Sequence, residues 1–267
     1  MHGAGNDFLL VDDRSLSFPA ADGAWIADIA RRRTGVGSDG VILIQPSRTS
    51  DFRMRFFNPD GREADMCGNG ARCVARLALD LGVASRRMTI ETNAGPLCAE
   101  LIGRQVRLEM PPPHGWQMNR QLTLDAMSLA YSFVNTGVPH AVIEEDDLDG
   151  CDVVGRGKAI RRHAAFAPAG TNVNFIRVMG PQALAVRTYE RGVEDETLAC
   201  GTGIAAAALV AARLGRVRPP VQVTARGGAV LTVDFRPSVD GAANVTLLGP
   251  AEHVFEGTLV YDAHRDV

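Results

Sequence analysis

The feature that most constrains the fold is a repeat at half-chain spacing. The segment CGNGARCVARLALDLG, from Cys67 to Gly82, aligns without a gap on CGTGIAAAALVAARLG, from Cys200 to Gly215, with seven identities in sixteen positions. The offset is 133 residues, half of the 267-residue chain. TNAG and GNDFLLV lie over TARG and VPHAVIE at nearly the same offset. The repeat indicates an internal duplication, with two halves of one architecture facing each other across a pseudo-twofold axis.

Each half is predicted to contain several short strands, one principal helix and then further strands. β-Branched, aromatic or alternating residues predict strands at DFLLVD, GVILI, DFRMRFF, MTIET, LCAELI and QVRLEM in the first half. LALDLG and AARLG each end a helix with a glycine just past the last apolar position. A helix among mostly antiparallel strands is an α+β arrangement. We therefore predict an α+β fold of two pseudo-symmetric lobes.

The three prolines Pro111–Pro113 mark the predicted boundary between the lobes, because consecutive prolines form a stiff extended segment. The last strands, from about Gly249, are expected to return and complete the first lobe. The predicted N-terminal lobe is therefore 1–112 plus 250–267, and the predicted C-terminal lobe is 113–249. Each lobe carries one of the two repeated cysteines.

Composition argues against several classes of function. The formal net charge is −3 and the basic residues are spread along the chain, which argues against a nucleic-acid partner. The longest uncharged helical stretch is well short of the about 18 residues that span a bilayer. The opening MHGAGNDF lacks the basic and apolar stretches of a signal peptide. We therefore expect no membrane partner, a cytoplasmic location and reduced thiols.

The cysteines and the single lysine limit the cofactors. Five cysteines at irregular spacing fit neither a disulfide framework nor the paired CxxC units of a zinc site. The only lysine, Lys158, lies in what reads as the basic surface loop GRGKAIRR, where it is a poor candidate for the Schiff base that pyridoxal phosphate needs. No metal and no organic cofactor are therefore expected.

Cys67 and Cys200 each open a helix ahead of a Gly-x-Gly sequence. Free backbone N–H groups and the positive end of the helix dipole meet there, and both favour a nearby thiolate or carboxylate. A small residue at a helix start more often serves packing, but its recurrence at half-chain spacing favours function. Cys73 lies six residues beyond Cys67, about 240° around the helix, so it is assigned to the core or to another face of the helix. Cys98 and Cys151 are assigned structural roles.

Two such thiols suit the inversion of a stereocentre next to a carboxylate. One thiolate removes the proton from one face of the α-carbon while a thiol supplies a proton to the opposite face, and exchange of their protonation states reverses the reaction. The carbanion is stabilised by N–H groups and dipoles already aimed at it. The residues alone thus predict a cofactor-independent amino-acid epimerase that uses two cysteines.

The chain also resembles the diaminopimelate epimerase family. The motifs that carry the resemblance, in their order in the family, are GAGNDF from Gly3, FNPDG from Phe57, MCGNGARC from Met66, TGVPH from Thr136, GTNVNF from Gly170, YERG from Tyr189 and ACGTG from Ala199. LGPAEHVFEG, from Leu248, resembles the family's closing segment. The resemblance implies that each lobe is a strand barrel around a central helix, with the substrate between the lobes. It also implies interconversion of LL- and meso-2,6-diaminopimelate, on the route to lysine and peptidoglycan.

The same resemblance implies roles for individual residues. Cys67 and Cys200 match the proton-transferring pair, and His140 and Glu190 match residues that tune the two thiols. The residues that match substrate-binding groups are Asn6, Asn58, Gly68, Asn69, Asn172, Arg191, Gly201 and Thr202. The planar guanidinium of Arg191 independently suits a carboxylate. For any one asparagine, a turn residue bonded to its own backbone is the alternative.

Two positions depart from the family pattern. Gly40 stands where family members often have a glutamine that touches substrate, and Val138 stands where many have a substrate-binding asparagine. Both concern recognition of the distal end of the substrate and neither touches the thiol pair.

Two other interpretations stay open. One is a racemase or epimerase for proline, hydroxyproline or histidine, although proline-type relatives carry a histidine after MCG, where this chain has Asn69. The other is a two-cysteine redox or thiol-regulated binding protein, which would need the cysteines but not the glycines, Glu190 or Arg191. The predicted partner is a small-molecule substrate, diaminopimelate, and a homodimer is left open.

Overall fold

The computed structural model describes residues 1–124 and 127–261. The last six residues of the predicted N-terminal lobe, and residues 125 and 126 of the predicted C-terminal lobe, lie outside the described residues. The chain forms two compact units. Unit 1 is Met1–Ala99 with the described part of Ala251–Val267, and unit 2 is Glu100–Pro250.

Among its described residues, unit 1 contains two helices and eight strands, and the last strand continues into unit 2. In chain order the elements are β1 (His2–Gly3), β2 (Asn6–Asp7), β3 (Leu9–Asp12), α1 (Gly23–Ala30), β4 (Val41–Gln45), β5 (Phe52–Phe57), β6 (Glu63–Ala64), α2 (Gly68–Asp80), β7 (Arg87–Thr92) and β8 (Gly95–Ile102). The six strands predicted for the first half of the chain are confirmed, the last of them as β9 of unit 2.

Unit 2 contains two α-helices, one 3-10 turn and ten strands among the residues the structure describes. Its elements are β9 (Gln105–Glu109), β10 (His114–Leu124), β11 (Met127–Asn135), β12 (Pro139–Glu144), α3 (Val153–Arg161), the 3-10 turn Ala164–Phe166, β13 (Asn172–Gly180), β14 (Ala183–Glu190), β15 (Asp195–Thr197), α4 (Gly201–Arg213), β16 (Val221–Ala225), β17 (Val230–Ser238) and β18 (Gly241–Pro250).

The two units repeat one strand topology. In unit 1, β3 is parallel to β4, β4 is antiparallel to β5, and β5 pairs with β6 antiparallel and with β7 parallel. In unit 2, β12, β13, β14, β15 and β16 pair in the same order and with the same directions. The principal helices α2 and α4 follow β6 and β15 at equivalent places. The α+β fold and its internal duplication are thereby confirmed.

The strands of unit 2 form an open path. Neighbouring strands run in the order β10, β11, β12, β13, β14, β16, β17, β18 and β9. Within the described part of the chain, no strand pairing joins β10 to β9. The barrel expected from the family resemblance is therefore not closed by hydrogen bonds in this unit.

Helix α4 lies at the centre of unit 2. It packs against β11 to β14 and β16 to β18, and its residues 203–211 are all buried. Close approach of strands on every side requires short side chains, which the alanine-rich sequence GIAAAALVAA provides. The two central helices have the same length, 13 residues, and α2 packs on β1, β4 and β5.

Both central helices end as the sequence predicts. Gly82 and Gly215 follow the last helical turn with φ of 66° and 72°, the left-handed conformation that glycine adopts without a steric penalty. The next N–H group, of Val83 or Arg216, returns to the carbonyl oxygen of the residue five positions earlier, at 2.8 and 2.9 Å. These hydrogen bonds satisfy carbonyl groups at the helix ends that would otherwise have no donor within the helix.

One prediction about local structure is wrong. The segment around Lys158, read as a surface loop, is helix α3, although Lys158 is exposed as expected. The side chain of Asp152 caps the helix by accepting from the N–H of Gly155 at 2.9 Å. Gly157 misleads because glycine disfavours helices, yet a Cβ at this position would collide with the side chain of Tyr189. Its glycine is therefore a packing requirement and not a sign of a loop.

The described part of the closing segment, residues 251–261, belongs to unit 1 and does not form the strands that were predicted from about Gly249 onward. Glu252 and His2 exchange two backbone hydrogen bonds of 2.9 Å, and this single bridge is the only β pairing in residues 251–261. None of the helices in residues 1–124 and 127–261 has the length and apolar character that a bilayer crossing requires.

Candidate active site

Cys67 occupies the N-cap position of α2. Its backbone is extended, with φ −136° and ψ 117°, and its Sγ accepts from the N–H of Gly70 at 3.5 Å. A Cβ at Gly70 would lie 2.6 Å from Cδ1 of Ile42, whereas a Cβ at Gly68 would meet nothing within 4 Å. Gly70 is thus required for packing, while Gly68 leaves open space beside the half-buried thiol. An N–H group directed at the sulfur favours its thiolate form.

Asn69 connects the first turn of α2 to the N-terminal strands. Its side-chain amide donates to Oδ1 of Asn6 at 2.5 Å. The amide of Asn6 in turn donates to Oδ2 of Asp39 at 3.0 Å, and Asp39 also forms an ion pair with Arg32 at 2.8 Å. Two residues assigned to substrate binding, Asn6 and Asn69, are therefore brought into direct contact.

Arg72 lies behind this network and was not identified from the sequence. It is fully buried, and its guanidinium donates to Oδ1 of Asn69 at 2.8 Å. Burial lowers the pKa of Arg72, and the neighbouring sulfurs of Cys73 and Cys67 oppose that shift. Burial raises the pKa of Cys73 to about 12, so this core thiol stays neutral. At Cys73 burial outweighs the charge of Arg72, whereas at the half-buried Cys67 the same positive charge favours a thiolate.

Cys200 occupies the N-cap position of α4 and is bonded to a different set of groups. Its Sγ lies 3.5 Å from the hydroxyl of Thr202, which lies 2.9 Å from Nε2 of His140. His140 is completely buried. Burial, followed by the charge of Arg191, lowers the pKa of His140 to about 3. Its imidazole is therefore neutral at physiological pH and contributes a hydrogen bond rather than a charge.

His140 is itself held by buried polar residues that the sequence analysis did not single out. Asn174 on β13 directs its amide nitrogen at Nδ1 of His140, 3.0 Å away, and at the carbonyl oxygen of Ala141, 3.2 Å away. The hydroxyl of Thr188 on β14 donates to Oδ1 of Asn174 at 3.0 Å. Asn174 and Thr188 are directly opposite in the β13–β14 ladder. The contacts thus run from Thr188 to Cys200 without a break.

Asn172 and Arg191 are also brought together, through the backbone. The N–H of Arg191 donates to Oδ1 of Asn172 at 2.8 Å, and the amide of Asn172 donates to the carbonyl oxygen of Pro139 at 2.9 Å. One guanidinium nitrogen of Arg191 donates to the carbonyl oxygen of Ala169 at 2.9 Å. Asn172 therefore holds the backbone at Arg191, the first residue after β14.

Glu190 and Asn58 lie in local networks of their own. The hydroxyl of Thr197 donates to Oε2 of Glu190 at 3.0 Å. The backbone of Asn58 closes a turn: its N–H donates to the carbonyl oxygen of Arg62, and its own carbonyl accepts from the N–H of Gly61, both at 2.9 Å. Asn58 therefore lies in a turn that is closed by its backbone groups.

The predicted residues thus fall into two groups, one in each unit. Unit 1 holds Asn6, Asn58, Cys67, Gly68 and Asn69, and unit 2 holds His140, Asn172, Glu190, Arg191, Cys200, Gly201 and Thr202. Side chains that were missed include Asp39, Arg72, Asn174 and Thr197, which contact these residues, and Thr188, which contacts Asn174. Nowhere in residues 1–124 and 127–261 do three histidine, cysteine, aspartate or glutamate side chains converge as metal ligands.

The structure leaves no room for a side chain at Gly40. A Cβ at this position would collide with the ring of Phe56 and lie 2.6 Å from the carbonyl oxygen of Phe57. No side chain, and hence no glutamine, fits at position 40 while β5 keeps its place. Val138, the other departure, is half-buried in the loop before β12.

The fold is shared with solved racemases and epimerases. A probable proline racemase from Agrobacterium radiobacter superimposes with a TM-score of 0.72 at 16% identity, over 99% of this chain and 92% of that one. A hydroxyproline epimerase from Agrobacterium vitis gives a TM-score of 0.68 at 18% identity, over 93% of this chain and 86% of that one. The chain thus has the fold of these racemases and epimerases.

Sequence relatives define the family. The diaminopimelate epimerase family model matches residues 1–114 and 132–254. Diaminopimelate epimerases from Aquifex aeolicus and Chlorobaculum tepidum are each 43% identical to this chain over 97% of its length, and over 96% and 99% of their own. The chain belongs to the diaminopimelate epimerase family.

Proposed function

We propose that the protein interconverts LL- and meso-2,6-diaminopimelate by a two-base reaction in which Cys67 and Cys200 are the proton-transferring groups. Membership of the family over nearly the whole chain supports the substrate. The placement of Cys67 and Cys200 at the N-cap positions of α2 and α4 is the observation that carries the assignment of the bases, because the helix dipole favours a thiolate at both positions. At Cys67 the N–H of Gly70 also donates to the sulfur.

The reaction removes the α-proton and replaces it on the other face. In one direction a cysteine thiolate takes the proton from the α-carbon onto its sulfur, and the electron pair left behind delocalises into the adjacent carboxylate. The other cysteine, as a thiol, then gives its proton to the opposite face and becomes the thiolate. The enzyme ends with its two protonation states exchanged, so the same two groups serve the reverse direction.

The backbone at the helix starts is proposed to hold the reacting carboxylate. Gly68 and Gly201 each follow a cysteine and begin a helix, where backbone N–H groups have no partner within the helix. These groups and the helix dipoles stabilise the charge that develops on the carboxylate when the proton leaves. The side chain of Asn69 and the backbone N–H of Thr202 would also contact it.

The remaining assignments concern the rest of the substrate. Asn6, Asn58, Asn172 and Arg191 are proposed to contact its amino groups and distal carboxylate. For Arg191 the chemistry is specific, because a guanidinium can bind a carboxylate through two parallel hydrogen bonds. Glu190 and His140 are proposed to tune the thiols; for His140 the contact to Cys200 through Thr202 supports this role.

The substrate is tested by incubating the purified protein separately with LL-diaminopimelate, L-proline and L-histidine, followed by chiral chromatography. Conversion of LL-diaminopimelate alone supports the proposal. Turnover of proline or histidine without turnover of diaminopimelate would assign the protein to another racemase specificity. A protein that alters none of these substrates, but forms a reversible disulfide, would favour the redox interpretation.

Three companion proposals have separate tests. Activity should need no added metal, nucleotide or pyridoxal phosphate, and loss of activity on exhaustive chelation, reversed by one metal, would contradict this. The protein is proposed to act in the cytoplasm, which fractionation of the source cells tests. A homodimer is proposed as its oligomeric state, and light scattering on the purified protein measures it directly.

A further inference from the structure

A continuous set of hydrogen bonds lies beneath Cys200. It begins at Thr188, passes through Asn174, His140 and Thr202, and ends at the sulfur. Thr188, Asn174 and His140 are all buried, so water does not compete for these contacts. The direction in which each hydrogen points can therefore be worked out from the partners alone.

The orientation of the Asn174 amide follows from two neighbours. The carbonyl oxygen of Ala141, 3.2 Å away, can only accept a hydrogen bond, so it must face the amide nitrogen. The amide oxygen then faces Thr188, whose hydroxyl can donate to it at 3.0 Å. The reversed amide would set two carbonyl oxygens against each other inside the protein, at a cost typical of an unsatisfied buried polar group.

The orientation of Asn174 in turn selects the tautomer of His140. Its amide nitrogen lies 3.0 Å from Nδ1, so Nδ1 must accept and carries no hydrogen. The neutral ring therefore holds its hydrogen on Nε2, which donates to the hydroxyl oxygen of Thr202 at 2.9 Å. Since that oxygen already receives a hydrogen bond from His140, the hydrogen of Thr202 itself is available for Sγ of Cys200, 3.5 Å away.

We propose that Asn174 is a positioning residue for the epimerase reaction: it fixes His140 as the Nε2–H tautomer, and Thr202 thereby donates a hydrogen bond to the Cys200 thiolate. The inference rests on the proposed function of Cys200. It deepens that function by stating how the thiolate is stabilised and by adding Asn174 and Thr188 to the groups on which it depends.

The packing around Asn174 supports its role in positioning His140. A Cβ at Gly203 would collide with Oδ1 of Asn174, so the second glycine of Cys-Gly-Thr-Gly makes room for this amide. The nearby charge that acts on His140 is the guanidinium of Arg191, which disfavours a second positive charge on the ring. The set of bonds therefore works with a neutral histidine.

The first half of the chain has no equivalent of this device. At the repeat offset of 133 residues, Asn174 corresponds to Val41, His140 to Asp7 and Thr202 to Asn69. The strand pairing agrees, because Asn174 is opposite Val142 and Val41 is opposite Leu9. Val41 belongs to the apolar core of unit 1. Loss of Asn174 should therefore affect Cys200 and leave Cys67 unaffected.

The tautomer is measured by nitrogen-15 NMR of protein labelled at its six histidines, with the ring signals of His140 assigned by their loss in His140→Gln. The expected result is a protonated Nε2 and an unprotonated Nδ1 between pH 6 and 9. In Asn174→Asp the carboxylate accepts from Nδ1–H, so the tautomer should reverse or the ring should become charged. An Nδ1–H tautomer or an imidazolium in the parent protein would overturn the inference.

The thiolate is measured by the pH dependence of alkylation. In a Cys67→Ala background, adding Asn174→Leu should slow alkylation of Cys200 by iodoacetamide at pH 7 by about tenfold, as expected for loss of one hydrogen bond to a charged group. Thr188→Val should also slow alkylation of Cys200, by a smaller factor. This variant tests the inference if Asn174→Leu does not fold. An unchanged rate at Cys200 in both folded variants would overturn the inference.

The matched control is Cys67. In a Cys200→Ala background, Asn174→Leu should leave the alkylation of Cys67 unchanged, and an equal fall at both thiols would show general damage to the fold and reject the positioning role.

In turnover, Asn174→Leu should lower kcat about tenfold in both directions with little change in KM. Absence of epimerisation in the parent protein would reject the proposed function, whereas the NMR and alkylation results would still decide the role of Asn174.

Discussion

Arg72 and Asn69 lie one turn apart at the start of α2, and the buried guanidinium of Arg72 donates to the side-chain oxygen of Asn69 at 2.8 Å. This contact links the candidate site to the core of unit 1. Asn69 is held from its other end by Asn6, so its orientation is fixed on both sides. The charge of Arg72 also acts on Cys67. The thiol of Cys67 therefore depends on a buried cation, whereas the thiol of Cys200 depends on the neutral His140.

Arg72→Met should therefore slow epimerisation and weaken the fold. The loss of the guanidinium leaves the oxygen of Asn69 without a donor from this residue, at a cost of about 1–3 kcal/mol in the free energy of unfolding. Removal of the positive charge should also raise the pKa of Cys67 and slow its alkylation at pH 7, while Cys200 keeps its rate. Urea unfolding and alkylation followed by peptide mass spectrometry measure the two effects.

Arg76→Met is the matched control on the same helix. Arg76 forms an exposed ion pair with Asp80 at 2.9 Å, and a pair of this kind contributes about 0.3–0.5 kcal/mol. The variant should leave epimerisation and both thiols unchanged. If Arg76→Met reduced activity as much as Arg72→Met, the effect would be due to general disturbance of α2 rather than to the contact with Asn69.

Much of the fold could be predicted from the sequence because its signals are local. Alternating apolar residues predict β5 and β7, and glycines in the left-handed conformation predict the ends of α2 and α4. The duplication was visible because both copies keep a cysteine, two glycines and the small residues of a helix. Cys67 and Cys200 were found by the same repeat, without any tertiary information.

What could not be predicted depends on tertiary contacts. Position 157 lies inside a helix and is nevertheless a glycine, because Tyr189 leaves no room for a side chain there, and Gly40 is required by Phe56 for the same kind of reason. From the sequence alone, Arg72 looks like an ordinary surface residue of a helix, and only the structure shows that it is buried. Asn174 had a detectable signal: it follows Asn172 by two residues and therefore shares its strand face, inside the otherwise apolar run VNF.

Alanine substitution should separate the catalytic cysteines from the core cysteine. Cys67→Ala and Cys200→Ala should each abolish epimerisation, since either change leaves one face of the α-carbon without a proton partner. Cys73→Ala should be nearly neutral for turnover, because this buried thiol stays protonated, and should cost about 1 kcal/mol of stability through lost packing. Robust turnover by either of the first two variants would show that the pair is misassigned.

The buried His140 should make stability depend on pH. Its pKa is lowered from 6.5 to about 3 in the folded protein, so between these values the unfolded chain binds a proton that the folded protein does not. The stabilisation is therefore complete above pH 6.5 and is lost as the pH falls, by about 2 kcal/mol between pH 7 and pH 5. Urea unfolding at both pH values should show this loss in the parent and a smaller one in His140→Gln. Equal losses in the two proteins would contradict a neutral buried histidine.

Deuterium incorporation should reveal whether two bases act. If each thiol serves one face, the group that removes the α-proton is not the group that delivers the new hydrogen, and the delivering thiol exchanges with solvent in the free enzyme. In deuterated water, product formed early should therefore carry deuterium at the inverted carbon, while unreacted substrate keeps its protium. Mass spectrometry of both isomers in the first few per cent of conversion measures this. A single base that worked on both faces would return some of the original proton, so substantial protium in the first product would exclude separate roles for Cys67 and Cys200.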